Sequence, residues 1–297
     1  MTDSPALVHV VDVGGSHVTA AVTRGGEVVA RVQRDIDAHG SVDEIVGGWA
    51  AACLELGAAP GARWGIAMPD PFDFERAVGT FENVAKFERL ANVDLRAELA
   101  PRLSTEPANV RFVHDAGAYG IGEWVYGQAA GFDRAVCITL GTGIGSSFLD
   151  HGVPVRTRVD VPTNGTVHLL SIGGEPLEDT VSTRAIIASY ERMTGETLSV
   201  KAIAELARAD STSTAMAVLA SAFEALGGAL APWIDAFDAA VLVAGGSISR
   251  SWDLLEAPFR AGLAAQYPER AARVELRASR LLDDAPLLGA AYWLTHA

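Results

Sequence analysis

The apolar positions of this chain change period along its length, and the changes mark out its elements. From Leu7 to Val13 an apolar run broken only by His9 and Asp12 predicts a buried strand; Gly14-Gly15 follows as a turn, and alternation from Val18 to Val22 predicts a returning strand. Gly25-Gly26 predicts a further turn and Glu27 to Val32 a third strand, so the chain opens as a meander. At Ser41 the pattern becomes helical. Ser41 can cap, Glu44 stands at capping-box spacing, and Ile45, Val46, Trp49, Cys53, Leu54 and Leu56 recur on one face until Gly57. Arg63 to Met68 predicts a buried strand ended by Pro69. A loop-rich section then runs to Asn92 and carries Glu82 and Asn83 as candidate binding residues, because long loops between regular elements are often binding loops. Val93 to Leu103 predicts a helix that Pro101 ends or kinks, Val110 to Val113 a short strand, and Ala116 to Tyr126 a helix, with His114-Asp115 at the junction.

The second half repeats this outline. Arg134 to Leu140 predicts a strand, Gly141-Thr142-Gly143-Ile144-Gly145 a turn, and Ser146 to Leu149 a returning strand, which points to an internal duplication. Leu177 to Tyr190, Ser199 to Arg208 and Thr214 to Phe237 predict helices, the last with Gly227-Gly228 as a bend. Ala239 to Val243 predicts a buried strand leading into Gly245-Gly246-Ser247, and Ser251 to Ala265, Val274 to Leu276 and Pro286 to Leu294 complete the chain as helix, strand and helix. The elements describe an α/β protein of two domains. Boundaries are expected near Asp115 and Arg280, giving an N-terminal domain of 1–115 plus 281–297 and a C-terminal domain of 116–280.

Three glycine-rich turns, each directly after a predicted strand, carry the candidate chemistry: Asp12 with Gly14, Gly15 and Ser16; Gly141, Thr142 and Gly143; and Gly245, Gly246 and Ser247. Backbone N–H groups in such turns can hold phosphate oxygens, and the third could also let a flat adenine ring lie on bare backbone. Each turn alone is equally compatible with an ordinary tight loop. A dinucleotide fingerprint fails because the chain after Gly145 continues as a strand with no crossover helix, and no turn is followed by the Gly-Lys-Ser/Thr of a Walker A loop. Asp12 and Asp115 both fall at the carboxyl ends of predicted strands, where ligands of open α/β sheets collect.

Composition narrows the classes further. The chain has 297 residues, 49% of them hydrophobic and 20% charged, a globular composition with material for more than one core. Lys plus Arg 23 against Asp plus Glu 37 leaves a net charge of −14, which argues against a nucleic-acid or anionic-membrane surface. Cys53 and Cys137 lack metal or redox spacing and are expected as small core residues. No basic region precedes the first apolar run, and no stretch is expected to approach the roughly twenty apolar residues of a membrane helix, because glycines, charges and prolines interrupt every candidate, so a cytoplasmic protein is expected.

These residues resemble the ROK family of sugar kinases, within the actin and hexokinase-like ATPase superfamily. The resemblance runs nearly end to end, through the Asp12 turn, His114-Asp115-Ala116 with Gly122-Glu123, the Leu140 to Gly145 turn, Leu177-Glu178 with Ser182, and Gly245-Gly246. It implies a two-domain actin-like or ribonuclease H-like ATPase fold with a cleft between the domains, and an ATP- and Mg2+-dependent kinase of a hexose or hexose-like polyol. It also implies Asp115 as the base that takes the proton from the attacking hydroxyl, with Asp12 orienting magnesium through water. Asp115 could also cap the helix that follows it, and the two roles are compatible. A homodimer is compatible with the resemblance, although no apolar stripe marks an interface.

The chain departs from the family where the acceptor is recognised. His114 stands where relatives have Asn before the catalytic Asp, and Asn164-Gly165-Thr166-Val167-His168 keeps the His of a Glu-x-x-His segment but places Gly165 where the Glu is expected. Asn164, His168 and Glu178 remain with Glu82, Asn83, His114 and Asp115 as expected substrate-binding residues. Plain glucose is therefore less secure as the acceptor, and beside glucose or another hexose the alternatives are a C7-cyclitol or carbasugar and an N-acyl amino sugar. The cysteines of the family's structural zinc site are missing from 168–178, so no zinc is expected, with packing by Leu169, Leu170, Ile172 and Pro176 in its place. A sugar-sensing regulator is the non-enzyme alternative. It is disfavoured by the acidic charge and by a first strand that begins close to Met1.

Overall fold

The computed structural model describes residues 6–82 and 84–296, and its internal contacts divide it into two units: the chain up to Gly122 with the segment from Asp283 onward, and Glu123–Leu282. In the first unit, β1 (Val8–Val13), β2 (His17–Arg24) and β3 (Glu27–Asp35) form the antiparallel meander. α1 (Val42–Leu54) starts with the capping box, in which the Ser41 hydroxyl accepts from the Glu44 N–H and the Glu44 carboxylate accepts from the Ser41 N–H. β4 (Trp64–Met68) then runs parallel to β1. A two-residue ladder of β5 (Phe72–Asp73) and β6 (Val78–Gly79) interrupts the loop-rich section before α2 (Leu95–Arg102). Asp94 caps α2, which fixes its start at Leu95, and the helix stops one residue after Pro101. β7 (Val110–His114) joins parallel to β4, and α3 (Asp115–Tyr126) leaves from its end. The sheet order is β3-β2-β1-β4-β7, so β1, β4 and β7 present adjacent carboxyl ends. Its core is built on the fully buried Trp49, Trp64, Ile45, Ile66, Phe81 and Phe87.

The second unit repeats this plan. β8 (Arg134–Leu140), β9 (Ile144–Asp150) and β10 (Val153–Val155) are antiparallel, and after a short ladder of β11 (Ser171–Ile172) and β12 (Glu175–Pro176) the chain turns helical. α4 (Glu178–Val181), α5 (Thr183–Thr194), α6 (Val200–Ala209) and α7 (Thr214–Ala236) precede β13 (Val241–Gly245), and α8 (Trp252–Ala264) and α9 (Pro268–Arg273) lead to β14 (Glu275–Ala278). The order β10-β9-β8-β13-β14, with β8, β13 and β14 parallel, is the order of the first sheet. α10 (Ala285–His296) returns to the first unit, where its backbone lies so close to β4 that a β-carbon at Gly65 would stand 2.7 Å from the Ala290 carbonyl oxygen.

Three expectations are corrected. The single helix expected over Leu177–Tyr190 is broken at Ser182, which leaves helical geometry (φ −65°, ψ 162°) and caps α5 by accepting from the Ala185 N–H. α7 runs unbroken through Gly227-Gly228, and those glycines are where α8 crosses, with Gly227 and Gly262 each against the backbone of the other helix. α7 is also long and apolar enough to cross a membrane by length and composition, although no span was expected, and here Val218, Leu219, Phe223, Leu226 and Leu230 are buried in the second unit's core. Packing over 168–178 is supplied by Val167, Leu170, Ile172 and Leu177, while Leu169 and Pro176 are exposed. Cys53 and Cys137 are buried free thiols, and burial pushes the Cys53 thiol up to about 12.

Candidate active site

In the first unit the parallel strands carry their chemistry at adjacent ends. Asp12 is the penultimate residue of β1, Asp70 lies two residues beyond β4, and His114 and Asp115 join β7 to α3. The His114 Nε2 lies 3.3 Å from Asp115 Oδ1 and 3.4 Å from Asp70 Oδ2, so one imidazole nitrogen faces two carboxylates. Asp115 Oδ1 also accepts from the Ala116 N–H at 2.6 Å. Asp12 is the electrostatic outlier. Burial, reinforced by the charges of Asp115 and Asp283 and opposed by Arg31, raises its pKa to about 7. Ahead of it the Gly14 N–H closes the hairpin onto the His17 carbonyl at 3.0 Å, and the amides that can meet an anion are those of the exposed Gly15 and Ser16.

In the second unit two glycine turns sit side by side at the ends of β8 and β13. Gly246, at φ +80°, brings its α-carbon against the Leu140 backbone, where a β-carbon would stand 2.7 Å from the Leu140 nitrogen, so only glycine fits. Ser249 Oγ donates to the Gly246 carbonyl at 2.8 Å, and a β-carbon at Gly141 would lie 3.7 Å from Ser247 Oγ. The turn over 141–145 is also hung from the helical segment behind it. Gly141 O accepts from the N–H and the hydroxyl of Thr183 at 2.8 and 2.9 Å, and the Ile144 N–H donates to Glu178 Oε1 at 2.8 Å. Glu178 is thus tied to the turn by its carboxylate. Ser146, on β9, holds the neighbouring loop by donating to Gly165 O at 2.8 Å and accepting from the Val167 N–H at 2.9 Å. That loop places Asn164 exposed at φ 57° and His168 half-buried in a single turn of 3-10 helix over Val167–Leu169.

The structure therefore gathers Asp12, Gly14, Gly15, Ser16, His114 and Asp115 in one unit, and Gly141, Thr142, Gly143, Glu178, Gly245, Gly246 and Ser247 in the other. Glu82 is exposed and lines a hollow of about 370 Å3 with Thr80, Phe81 and Glu88; Asn83 lies outside the described residues. Asp70, Asp283 and Lys86 escape sequence reasoning. Asp70 had a signal in its position just after a buried strand and Pro69, whereas Asp283 and Lys86 reach the site only through the path of the folded chain. Among the described residues no cluster of three or more His, Cys, Asp or Glu could hold a metal by itself. The raised pKa of Asp12 beside two further acids fits a cation carried in on the ligand's own phosphates.

Two units with the same sheet order, each opening on a hairpin closed by a glycine turn, have the actin-like two-domain ATPase fold. The profile of the ROK family matches residues 8–161 and 173–297, and the chain belongs to the ROK family. The glucokinase of Thermotoga maritima is 28% identical over 95% of each chain. Among solved structures, the ROK hexokinase from Thermus thermophilus superposes with a TM-score of 0.74 at 25% identity, over 96% of this chain and 97% of that one. The ROK family glucokinase from Streptomyces griseus in complex with glucose and AMPPNP gives a TM-score of 0.79 at 23% identity, over 98% of this chain and 100% of that one. The stretch between the two matched segments carries Asn164, Gly165 and His168.

Proposed function

We propose that this chain is a cytoplasmic sugar kinase that transfers the γ-phosphate of ATP to a hydroxyl of a hexose or hexose-like polyol, with Asp115 as general base. The observation that carries the reading is the grouping of Asp12, Asp70, His114 and Asp115 at the carboxyl ends of β1, β4 and β7. Asp115 Oδ1 is engaged by the Ala116 N–H and faces His114, which leaves Oδ2 for the acceptor. The acceptor oxygen forms its bond to the γ-phosphorus as the bond to the β-phosphate oxygen breaks, its proton passes to Oδ2 of Asp115, and ADP leaves. His114 orients the base from the side. The amides of Gly15 and Ser16 and the turns at 141–145 and 245–247 supply donors for phosphate oxygens. Asp12 would hold magnesium through water, which neutralises charge on the β- and γ-phosphates when bound.

The acceptor is expected to differ from glucose. Gly165 has φ +69°, and a β-carbon there would stand 2.8 Å from the Val155 carbonyl oxygen, so the backbone has no room for the acid that family resemblance places at this position. His114 supplies a ring nitrogen already facing two acids in place of an amide. Both changes favour a different hydroxyl pattern, a cyclitol or carbasugar or an N-acyl amino sugar.

ADP release measured over a panel of hexoses, N-acyl amino sugars and cyclitols tests the reading. Turnover is expected with at least one polyol, and Asp115→Asn is expected to lower kcat by about 10²–10⁴-fold with acceptor affinity retained. Full-rate turnover by Asp115→Asn would remove Asp115 as base, and absence of turnover with every polyol would remove the kinase reading.

A further inference from the structure

The chain has two lysines. Lys201 lies on the exposed face of α6, 4.0 Å from Glu205. Lys86 is half-buried and forms no ion pair with any described carboxylate. Its backbone is held from both sides. Ala85 and Phe87 have φ of 50° and 61°, the left-handed region that non-glycine residues enter at a cost of about 1–2 kcal/mol each. Packing compensates at Phe87, whose buried ring meets Trp49 and Phe81 at centroid distances of 5.7 Å each and whose N–H donates to Ala38 O at 2.9 Å.

This anchoring lays the Lys86 side chain across the Gly14-Gly15 turn. A β-carbon at position 15 would stand 3.2 Å from Lys86 Cδ and 3.9 Å from Nζ, so the hydrogen of Gly15 makes the space in which the lysine lies. The turn is otherwise surrounded by acid. Asp115 and Asp283 stand close enough to add their charges to burial in raising the proton affinity of Asp12, and the nearby cation Arg31 is bound to Asp284. A polyphosphate approaching these carboxylates meets repulsion. Lys86 supplies a positioned ammonium on that approach.

We propose that Lys86 is a catalytic residue whose ammonium holds non-bridging oxygens of the phosphoryl group as it passes over the Gly14-Gly15-Ser16 turn. The inference rests on the kinase reading. Lys86 keeps its proton throughout; the P–O bond to the departing ADP breaks, the bond to the acceptor oxygen forms, and the acceptor's proton goes to Asp115. Such a transfer leaves little covalent chemistry to the protein and depends on charge placed where it develops on the moving group.

Three proteins test it: wild type, Lys86→Met and Lys86→Arg, each compared by thermal unfolding before assay. Lys86→Met is expected to lower kcat by about 10²–10³-fold, the loss that follows removal of one preorganised donor, with the acceptor KM unchanged within about threefold. Lys86→Arg is expected to recover at least tenfold of that loss, because the charge returns on a side chain of similar length. A binding readout stands apart from turnover: wild type is expected to bind a non-hydrolysable ATP analogue more tightly than ADP, and Lys86→Met to lose that preference. The proposal is overturned if Lys86→Met keeps kcat within about threefold of wild type, or keeps the preference for the triphosphate. Should Lys86→Met fail to fold, Lys86→Arg decides, since a preference lost with the charge retained also overturns it. Absence of turnover by wild type on every polyol would strike the kinase reading, and the triphosphate preference would still decide the place of Lys86.

Discussion

Asp12 reports on the site through its proton. Its pKa of about 7 in the folded protein lies above the ordinary value of 3.8, so between about pH 4 and 7 the folded chain keeps a proton that the unfolded chain has released. The stability this contributes is fully present below about pH 4 and is lost as pH rises through 7. Asp12→Asn removes the titration and is expected to make urea unfolding of the ligand-free protein less pH-dependent, by about 1–3 kcal/mol between pH 5 and 8. An unchanged pH profile would mean that Asp12 ionises as it does in the unfolded chain. Glu178 makes a second residue-level case. Its Oε1 accepts the Ile144 N–H at 2.8 Å, a bond that an amide oxygen can also accept. Glu178→Gln is therefore expected to bind a non-hydrolysable ATP analogue within about threefold of wild type, and Glu178→Ala to lose about tenfold or more, the effect of leaving the turn's N–H unpaired. Equal losses in both variants would put the carboxylate's charge, and not its hold on the turn, in the leading role. The turns themselves were legible because each glycine pair follows an apolar run, and Asp115 because it ends one. Lys86 and Asp283 were not, because the route of the folded chain that brings them to the site leaves no local period; Asp70 had a signal in its place just after a buried strand and Pro69, and sequence reasoning passed over it.

At the scale of elements, strands and most helix boundaries follow the apolar period and the caps, as Ser41 and Asp94 show. Two features of the helices lie outside that period. Gly227-Gly228, read in the sequence as a bend, is the contact face for another helix, because small residues let two backbones approach. The helix expected over Leu177–Tyr190 keeps its apolar period across Ser182, so the break is written in a capping serine and in the bonds that Glu178 and Thr183 make to the glycine turn. The loop over Thr163–Leu169 has no period at all, and its form is set by Ser146 and by the positive φ of Asn164 and Gly165. Gly165→Glu tests this. Restoring the family's acid is expected to lower thermal stability by about 1–3 kcal/mol and to leave glucose turnover no better than wild type, since a side chain at that φ meets the Val155 carbonyl. A stable variant with improved glucose turnover would show that the loop can re-form around the acid.

For the whole molecule, the division of the core matters more than its size. One cluster of buried side chains is drawn from Val11 to Phe112 and another from Val136 to Leu276, each with its own five-stranded sheet. A chain with two cores need not unfold as one cooperative block. Calorimetry of the ligand-free protein is expected to give two overlapping transitions, with a calorimetric enthalpy larger than the van't Hoff value. The glycine turns at 141–145 and 245–247 belong to the second core's sheet, so a ligand that binds them stabilises that unit directly. With a non-hydrolysable ATP analogue at about 100 times its Kd, the transition involving Glu123–Leu282 is expected to gain about 2.7 kcal/mol. Hydrogen exchange on peptides from each unit identifies which transition moves. A single two-state transition, with both units losing protection together at every temperature, would show that the two cores melt as one and that nucleotide binding is felt equally across the chain.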